Sequence, residues 1–274
     1  MFRAFTLIIS VAALSLVGIG QTAVQKIVDA EHAFAQRAAE VGTPPAFVEF
    51  MTDDAWAFVP EATKAKPFWS ARKPTASLLS WAPNFADAAA DGSFGYTTGN
   101  WEFRAKKGEE PGAFGDFNTI WLRQPDGGYK WLIDIGVGHP KPQKYSTEWK
   151  AAKSQTDPTK TIPPAKIPIS QYEGIASTDI AKAYEKFASD GIRLFREDKM
   201  PIAGKNAVKR AVSGTLILGV TTTDRSSSDM AYVLRPYTLT SGTSVEKGNQ
   251  LQVWKYEGGK WKIVLDVLKA VPAK

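Results

Sequence analysis

A chain of 274 residues, 43% hydrophobic and 23% charged, has ordinary globular composition and is long enough for one large domain or two ordinary ones. It contains no cysteine, which excludes disulfides, thiolate zinc sites and thiol nucleophiles. The formal charge of +6 comes from lysines spread along the chain and densest between Lys141 and Lys166. With no Arg-rich helix and no clustered aromatic–basic signature, it reads as a solvated basic surface, and no nucleic-acid partner is expected.

Met1-Phe2-Arg3 is followed by an apolar run from Thr6 to Gly20 and by the small residues Gly18, Gly20 and Ala23. This pattern predicts a signal peptide over residues 1–23, cleaved near Gly20 or Ala23, and a secreted or periplasmic protein. The competing reading is an uncleaved N-terminal anchor. No later apolar run approaches about 20 residues, so no stable membrane insertion is expected after cleavage.

Gln25 to Ala39 has apolar residues at helical spacing (Ile27, Val28, Ala30, Phe34, Ala35, Ala38) and predicts an amphipathic helix stopped by Gly42-Thr43-Pro44-Pro45. Ala46 to Met51 predicts a short second helix, Thr52-Asp53-Asp54 a turn, and Ala55 to Val59 a strand ending at Pro60. Further strands are expected over 95–103, 119–123 and 129–137, with Asp126-Gly127-Gly128 as a hairpin turn. In the last strand, alternation assigns Tyr129, Trp131, Ile133 and Ile135 to one face and Lys130, Leu132 and Asp134 to the other.

The chain then repeats itself. FNTIWLRQPDGGYKWLIDIG (117–136) slides by 132 positions, without a gap, onto NQLQVWKYEGGKWKIVLDVL (249–268), which sets Asn118 on Gln250, Arg123 on Lys255 and Asp134 on Asp266. FVEFMTDDAWAF (47–58) matches YEKFASDGIRLF (184–195) at a shift of 137. Two matched blocks in one order predict a duplicated domain, with residues 24–140 and 172–274 as the two copies. Residues 141–171, rich in Pro and Lys, predict a semi-extended connector on which Tyr145 and Trp149 are the docking candidates. Helices against one face of an antiparallel sheet make the expected class α+β.

The order of helix, Asp-Asp-Ala turn, strand ending in Pro60, Gly95-Tyr96-Thr97-Thr98-Gly99-x-Trp101-Glu102, and Asp126-Gly-x-aromatic-Lys130 before Asp134-Ile-Gly136 resembles the NTF2-like superfamily. More narrowly it is similar to secreted DUF4440 and SnoaL-like proteins, to which Leu79-Ser80-Trp81 and His139-Pro140 also correspond. The likeness covers about residues 25–140 well and 172–271 at its ends. It implies two cones, each a curved antiparallel sheet wrapped around N-terminal helices with a pocket at the open end. It also implies that such sheets pair face to face, here as an intramolecular pseudo-dimer or a homodimer.

The resemblance also tests one chemistry. The base and oxyanion positions of the related ketosteroid isomerases fall on Val59 and Ala35, which can neither take a proton nor donate a hydrogen bond, and the second copy's base position falls near Arg196. Other candidates for catalysis are Asp134 with His32 or His139, although an extended strand would hold Asp134 and His139 about 16 Å apart. Asp134 and Asp266 each interrupt an apolar strand, and each is either a pocket carboxylate or a structural one. The aromatics Trp56, Tyr96, Trp101, Trp121, Tyr232 and Trp254 either line a pocket or fill a core. No metal-ligand spacing, phosphate loop or dinucleotide fingerprint is present in the sequence, so no metal or cofactor is expected. The function expected is binding of a small apolar or aromatic ligand, the rivals being a lyase, isomerase or hydratase and a structural or protein-interaction repeat.

Overall fold

The computed structural model describes residues 22–145, 148–152 and 161–272; the expected signal peptide lies outside them apart from Thr22 and Ala23. The first half runs α1 (Ala23–Val41), α2 (Thr43–Phe50), β1 (Met51–Phe58), β2 (Ala62–Lys64), α3 (Ala65–Ser70), β3 (Leu78–Ala88), β4 (Phe94–Arg104), β5 (Ala113–Arg123) and β6 (Tyr129–His139). After a short strand β7 (Lys150–Ala151) the second half repeats that order. It has α4 (Lys166–Ala176), α5 (Ile180–Phe187), β8 (Ala188–Arg196), β9 (Ile202–Ala203), α6 (Lys205–Ala211), β10 (Thr215–Leu218), β11 (Thr223–Ser226), β12 (Met230–Ser241), β13 (Ser244–Glu257) and β14 (Lys260–Ala270).

The first sheet has the order β2-β1-β6-β5-β4-β3-β7 and the second β9-β8-β14-β13-β12, with β10 and β11 both on the outer side of β12 where the first half has the single strand β3. Each half is an α+β cone of the NTF2-like type, its helices lying against the concave face of its own sheet. The sheets are mixed rather than purely antiparallel, because β1 runs parallel to β6 and β8 parallel to β14. The expected turn at Thr52-Asp53-Asp54 lies inside β1, where the register shifts between Met51 and Trp56.

Local chemistry sets the helix ends. Thr22 Oγ1 accepts from the Gln25 backbone N–H at the start of α1, and Gly42, at φ 91°, ends it while its N–H reaches Ala38 O at 2.9 Å. Prolines in the first turn of α2 have no N–H to leave unpaired.

Three cores form. One lies between α1–α3 and the first sheet (Ile27, Phe34, Phe47, Trp121, Trp131), and one between α4–α6 and the second (Tyr172, Tyr184, Phe187, Trp254, Trp261). The third joins the two sheets, with Phe94, Ile120, Ile133, Ile135 and Val137 against Tyr232, Leu251, Val253, Leu265 and Val267. The layers therefore run helices, sheet, sheet, helices.

A bulge makes this layering possible, and it corrects the expected alternation. Trp121 pairs with Trp131 but Ile120 pairs with Ile133, so Leu132 is an extra residue in β6. Tyr129 and Trp131 face the helices, whereas Ile133, Ile135 and Val137 face the other sheet. The same happens at Val264, between the pairs Trp254–Ile263 and Val253–Leu265. Asp134 and Asp266 are thereby turned into their cones. The gapless slide also needs correction: β6 and β14 correspond at 132, but β5 and β13 correspond at 133, with Trp121 matching Trp254 and Thr119 matching Gln252. The hairpin turn of the first half is longer, and the slip changes the face of every β5 counterpart.

Lys255 thus stands where the first half has Leu122, on the seam between sheets. Its Nζ donates to Ala88 O at 2.7 Å and lies 3.1 Å from Asp229 Oδ2 and 3.4 Å from Asp87 Oδ1, all of them buried. Asp229 Oδ1 also accepts from the Ala90 backbone N–H at 2.8 Å. Replacing the lysine by an apolar residue strands two buried carboxylates. Lys255→Met should cost about 3–5 kcal/mol in urea denaturation; a loss under about 1 kcal/mol would show that the seam does not depend on this cluster.

Candidate functional site

The first cone encloses a cavity of about 510 Å³. Its walls come from α1 and α2 (Glu31, Phe34, Phe47), α3 (Trp69), and the inward faces of β3 to β6 (Trp81, Trp101, Phe117, Asp134, Gly136, Gly138). Exposed Val59 and Phe103 stand at its mouth with Glu197 and Lys269 of the second half. Those two are joined at 3.1 Å, and Glu197 Oε1 accepts from the Gly138 backbone N–H at 2.9 Å, so the second half closes part of the first cone's rim.

The polar end holds two carboxyl groups. Glu31 lies on the buried stripe of α1 with Ile27, Val28, Phe34 and Ala38. Its Oε1 accepts from Trp81 Nε1 at 2.7 Å, and its Oε2 accepts from Thr97 Oγ1 at 2.6 Å and Trp121 Nε1 at 3.0 Å. Burial outweighs these three donors and, with a smaller push from the Asp134 charge, raises the Glu31 pKa to about 7. Asp134 Oδ1 accepts from Thr119 Oγ1 at 3.0 Å, and its second oxygen has no protein donor among the described residues. Burial raises its pKa to about 6. Trp69 Nε1 is buried without an acceptor among the described residues. The site therefore offers a carboxyl oxygen in a wall that is otherwise largely aromatic.

The cavity exists because three positions carry little or nothing. A Cβ on Gly115 would stand 2.3 Å from the Trp101 ring, so glycine lets that indole lie across β5. Gly136 and Gly138 leave the inner face of β6 bare, where β14 carries Leu268 and Ala270. The matching positions of the second cone are filled. Leu268 is fully buried there, and Arg235, 2% exposed, occupies the counterpart of Gly99. Its guanidinium donates to Gln250 Oε1 at 3.3 Å, to Gln252 Oε1 at 3.4 Å and to Glu173. Asp266 accepts from Tyr184 Oη at 3.0 Å, Gln250 Nε2 at 3.1 Å and Gln252 Nε2 at 2.6 Å. Its pKa is about 6, raised by burial against those donors.

Of the sequence candidates, Trp101 and Asp134 line the first cavity, and Trp121 braces it from behind through Glu31. Trp254 packs on Tyr172 and Phe187 in the filled cone, beside Asp266. Trp56, Tyr96 and Tyr232 face the opposite sheet, because the alternation along β1, β4 and β12 points them away from the helices. His32 is exposed on α1. His139 is buried on the seam side of β6, where its Nδ1 contacts Pro140 O at 2.7 Å and its Nε2 lies 3.0 Å from Asp116 Oδ2. Its carboxylate neighbour is thus Asp116, not Asp134, and neither histidine lines the cavity. Ala35 lies on α1 and Val59 lines the cavity mouth. Among the described residues no group of three or more His, Cys, Asp or Glu could hold a metal. Glu31 was the residue missed; a lone carboxylate on the apolar stripe of an amphipathic helix is the signal that marks it.

No family model and no curated protein matches the chain. Solved structures do. An NTF2-like protein of unknown function from Pseudomonas putida KT2440 is 14% identical, over 39% of this chain and 84% of its own, with a TM-score of 0.34. One from Shewanella oneidensis MR-1 is 15% identical over 38% and 98%, with a TM-score of 0.32. A Parabacteroides distasonis protein named as a candidate ketosteroid isomerase is 13% identical over 40% and 89%, with a TM-score of 0.34. The strand order and register of this chain itself carry the fold assignment.

The raised carboxyls make stability depend on pH. Glu31 binds its proton more tightly folded than unfolded, so its contribution is full below its ordinary value of 4.5 and is lost as pH rises through about 7. Stability measured by urea denaturation should fall across that window, and Glu31→Gln should remove about one proton from the slope. An unchanged slope would mean that Glu31 keeps an ordinary pKa.

Proposed function

We propose that this is an exported small-molecule-binding protein, built from two NTF2-like copies that arose by tandem duplication, with one working pocket. The copies span residues 24–140 and 172–274, joined by the connector over 141–171. The ligand is an apolar or aromatic molecule that rests on Trp101, Phe34 and Phe47 and carries a polar group set on Asp134. The contrast between the cones carries this reading. At matching positions one cone has glycines and an aspartate whose second oxygen has no donor among the described residues, and the other has Leu268, Arg235 and an aspartate with three side-chain donors. The second half keeps the same frame with Leu268 and Arg235 at the positions that Gly136 and Gly99 leave bare in the first, so the open space at those positions is not a demand of the fold. Export rests on the N-terminal sequence pattern alone.

A second reading is favoured by the two carboxyls with pKa values of about 7 and 6 in one apolar cavity. Such groups exchange protons near neutral pH, which suits a lyase, isomerase or hydratase with Asp134 as base and Glu31 holding or supplying the proton. His32 and His139 have no part in it.

Native mass spectrometry of the protein purified gently from the exported fraction, against its denatured mass, should reveal a non-covalent adduct. Gly136→Leu has room for its Cβ, which meets only Trp101 Nε1 at 3.5 Å and Asp116 O at 3.7 Å, and Gly136 lines the cavity that its side chain would enter. It should narrow the cavity beside Asp134 and Trp101 and remove the adduct while the unfolding midpoint stays or rises, and Trp101→Ala should weaken binding about tenfold. An adduct that survives Gly136→Leu lies elsewhere and overturns the assignment. An adduct chemically changed over time by the native chain but not by Asp134→Asn would select the enzymatic reading.

A further inference from the structure

A second depression, of about 790 Å³, runs along the seam between the two halves. The first half contributes Phe85, Asp87, Tyr96 and the chain from Lys150 to Ala152; the second contributes the start of β8, Arg193, Lys205, Lys255 and the β13–β14 hairpin with Lys260 and Lys262. Its charges are unbalanced. Lys255 is held by Asp87 and Asp229, and among the described residues this leaves Arg193, Lys150, Lys205, Lys260 and Lys262 facing only Asp190 and Glu257. Among the described residues, none of those five cations has a carboxylate within ion-pair distance.

Arg193 is the centre of this imbalance. Its guanidinium lies 3.4 Å over the Phe85 ring, so one face of the cation is covered by an aromatic while its edge keeps its donors. Burial pulls its pKa below the usual arginine value, opposed only by Tyr96. Lys262, whose Nζ donates to Lys186 O at 2.9 Å, is also pulled down, first by burial and then by the Lys205 and Lys260 charges. These cations repel one another, and Asp190 and Glu257, which push the Lys262 pKa the other way, offset only part of their charge.

Nor does the fold require a cation there. Arg193 stands opposite Leu265 as Trp56 stands opposite Ile133, so the other side of the seam fills the same position with an indole. An aromatic would cover Phe85 as well as a guanidinium does. What arginine adds is a planar set of donors beside an apolar floor of Phe85, Tyr96 and Val264.

We propose that this seam groove is a binding site, separate from the first cone, for a small organic anion: a phosphate ester or carboxylate whose anionic group sits on Arg193 with Lys262 and Lys205 near, and whose flat apolar body lies along Phe85. Arg193 supplies the paired donors and the lysines the surrounding field. The apolar floor selects against inorganic ions of the same charge.

The test is calorimetric titration of the full chain, at low salt, with phenyl phosphate and with its two parts, inorganic phosphate and phenol. Phenyl phosphate should bind at least about tenfold more tightly than either part, and added salt should weaken it. Arg193→Gln with Lys262→Gln should lower that affinity about tenfold or more. Lys205→Gln with Lys260→Gln, at positions outside the cores, should weaken binding in a chain whose unfolding midpoint is unchanged. Gly136→Leu, which narrows the cavity of the first cone, should leave it as it was. The proposal falls if phenyl phosphate binds no better than phosphate, if neither double variant weakens it, or if Gly136→Leu abolishes it. That last result would move the ligand to the first cone and leave the reading of that cone standing.

Discussion

A β-strand normally offers one face to one partner, and a core needs apolar residues on that face alone. The last strand of each half has two partners, its own helices near one end and the opposite sheet near the other, and the extra residue Leu132 or Val264 changes the facing between them. Tyr129 and Trp131 close the first cone; two residues on, Ile133 and Ile135 enter the seam. The same change aims Asp134 inward. Without the bulge, the seam would receive the carboxylate and the cone would receive three more aliphatic side chains. Layer order, seam and pocket polarity all follow from one inserted residue in each half.

The two halves show what a cone does with its interior when the frame is held constant. The carboxylate at the inner position is kept in both, with a pKa of about 6 in both, because in both it is buried. Its company differs. Tyr184, Gln250, Gln252 and Arg235 make a satisfied network that adds order to the second half. Among the described residues Asp134 has only Thr119, and a cavity beside it. A polar group left short of partners is costly in a structure with no use for it, and useful where a ligand completes the set.

Much of this was legible beforehand. Helical spacing from Ile27 to Ala38, the Gly42 and Pro44 stop, the hairpin at Asp126-Gly127 and the doubling of the whole pattern are local signals, and the fold follows from them. The facing of Ile133, Tyr96 and Trp56 was not legible, because a bulge leaves no mark in a string of apolar residues and a one-residue difference in turn length hides inside a gapless match. Trp101 and Asp134 could be named as pocket residues; Glu31 could be seen only once Trp81, Thr97 and Trp121 from three strands had converged on it. Nothing local announces that Gly136 faces an empty space while Leu268 fills one.

Joining both cones in one chain has a consequence for the seam that two separate subunits could not have. A symmetric pair must place the same residue on both sides of its axis, so a lysine in the seam would come with a second lysine and a carboxylate with a second carboxylate. Here Lys255 occupies one side and Leu122 the other, and Arg193 answers to Trp56. Covalent linkage frees each side to change alone. It also keeps the two surfaces together at any dilution, since the connector sets their effective concentration whatever the concentration of the protein.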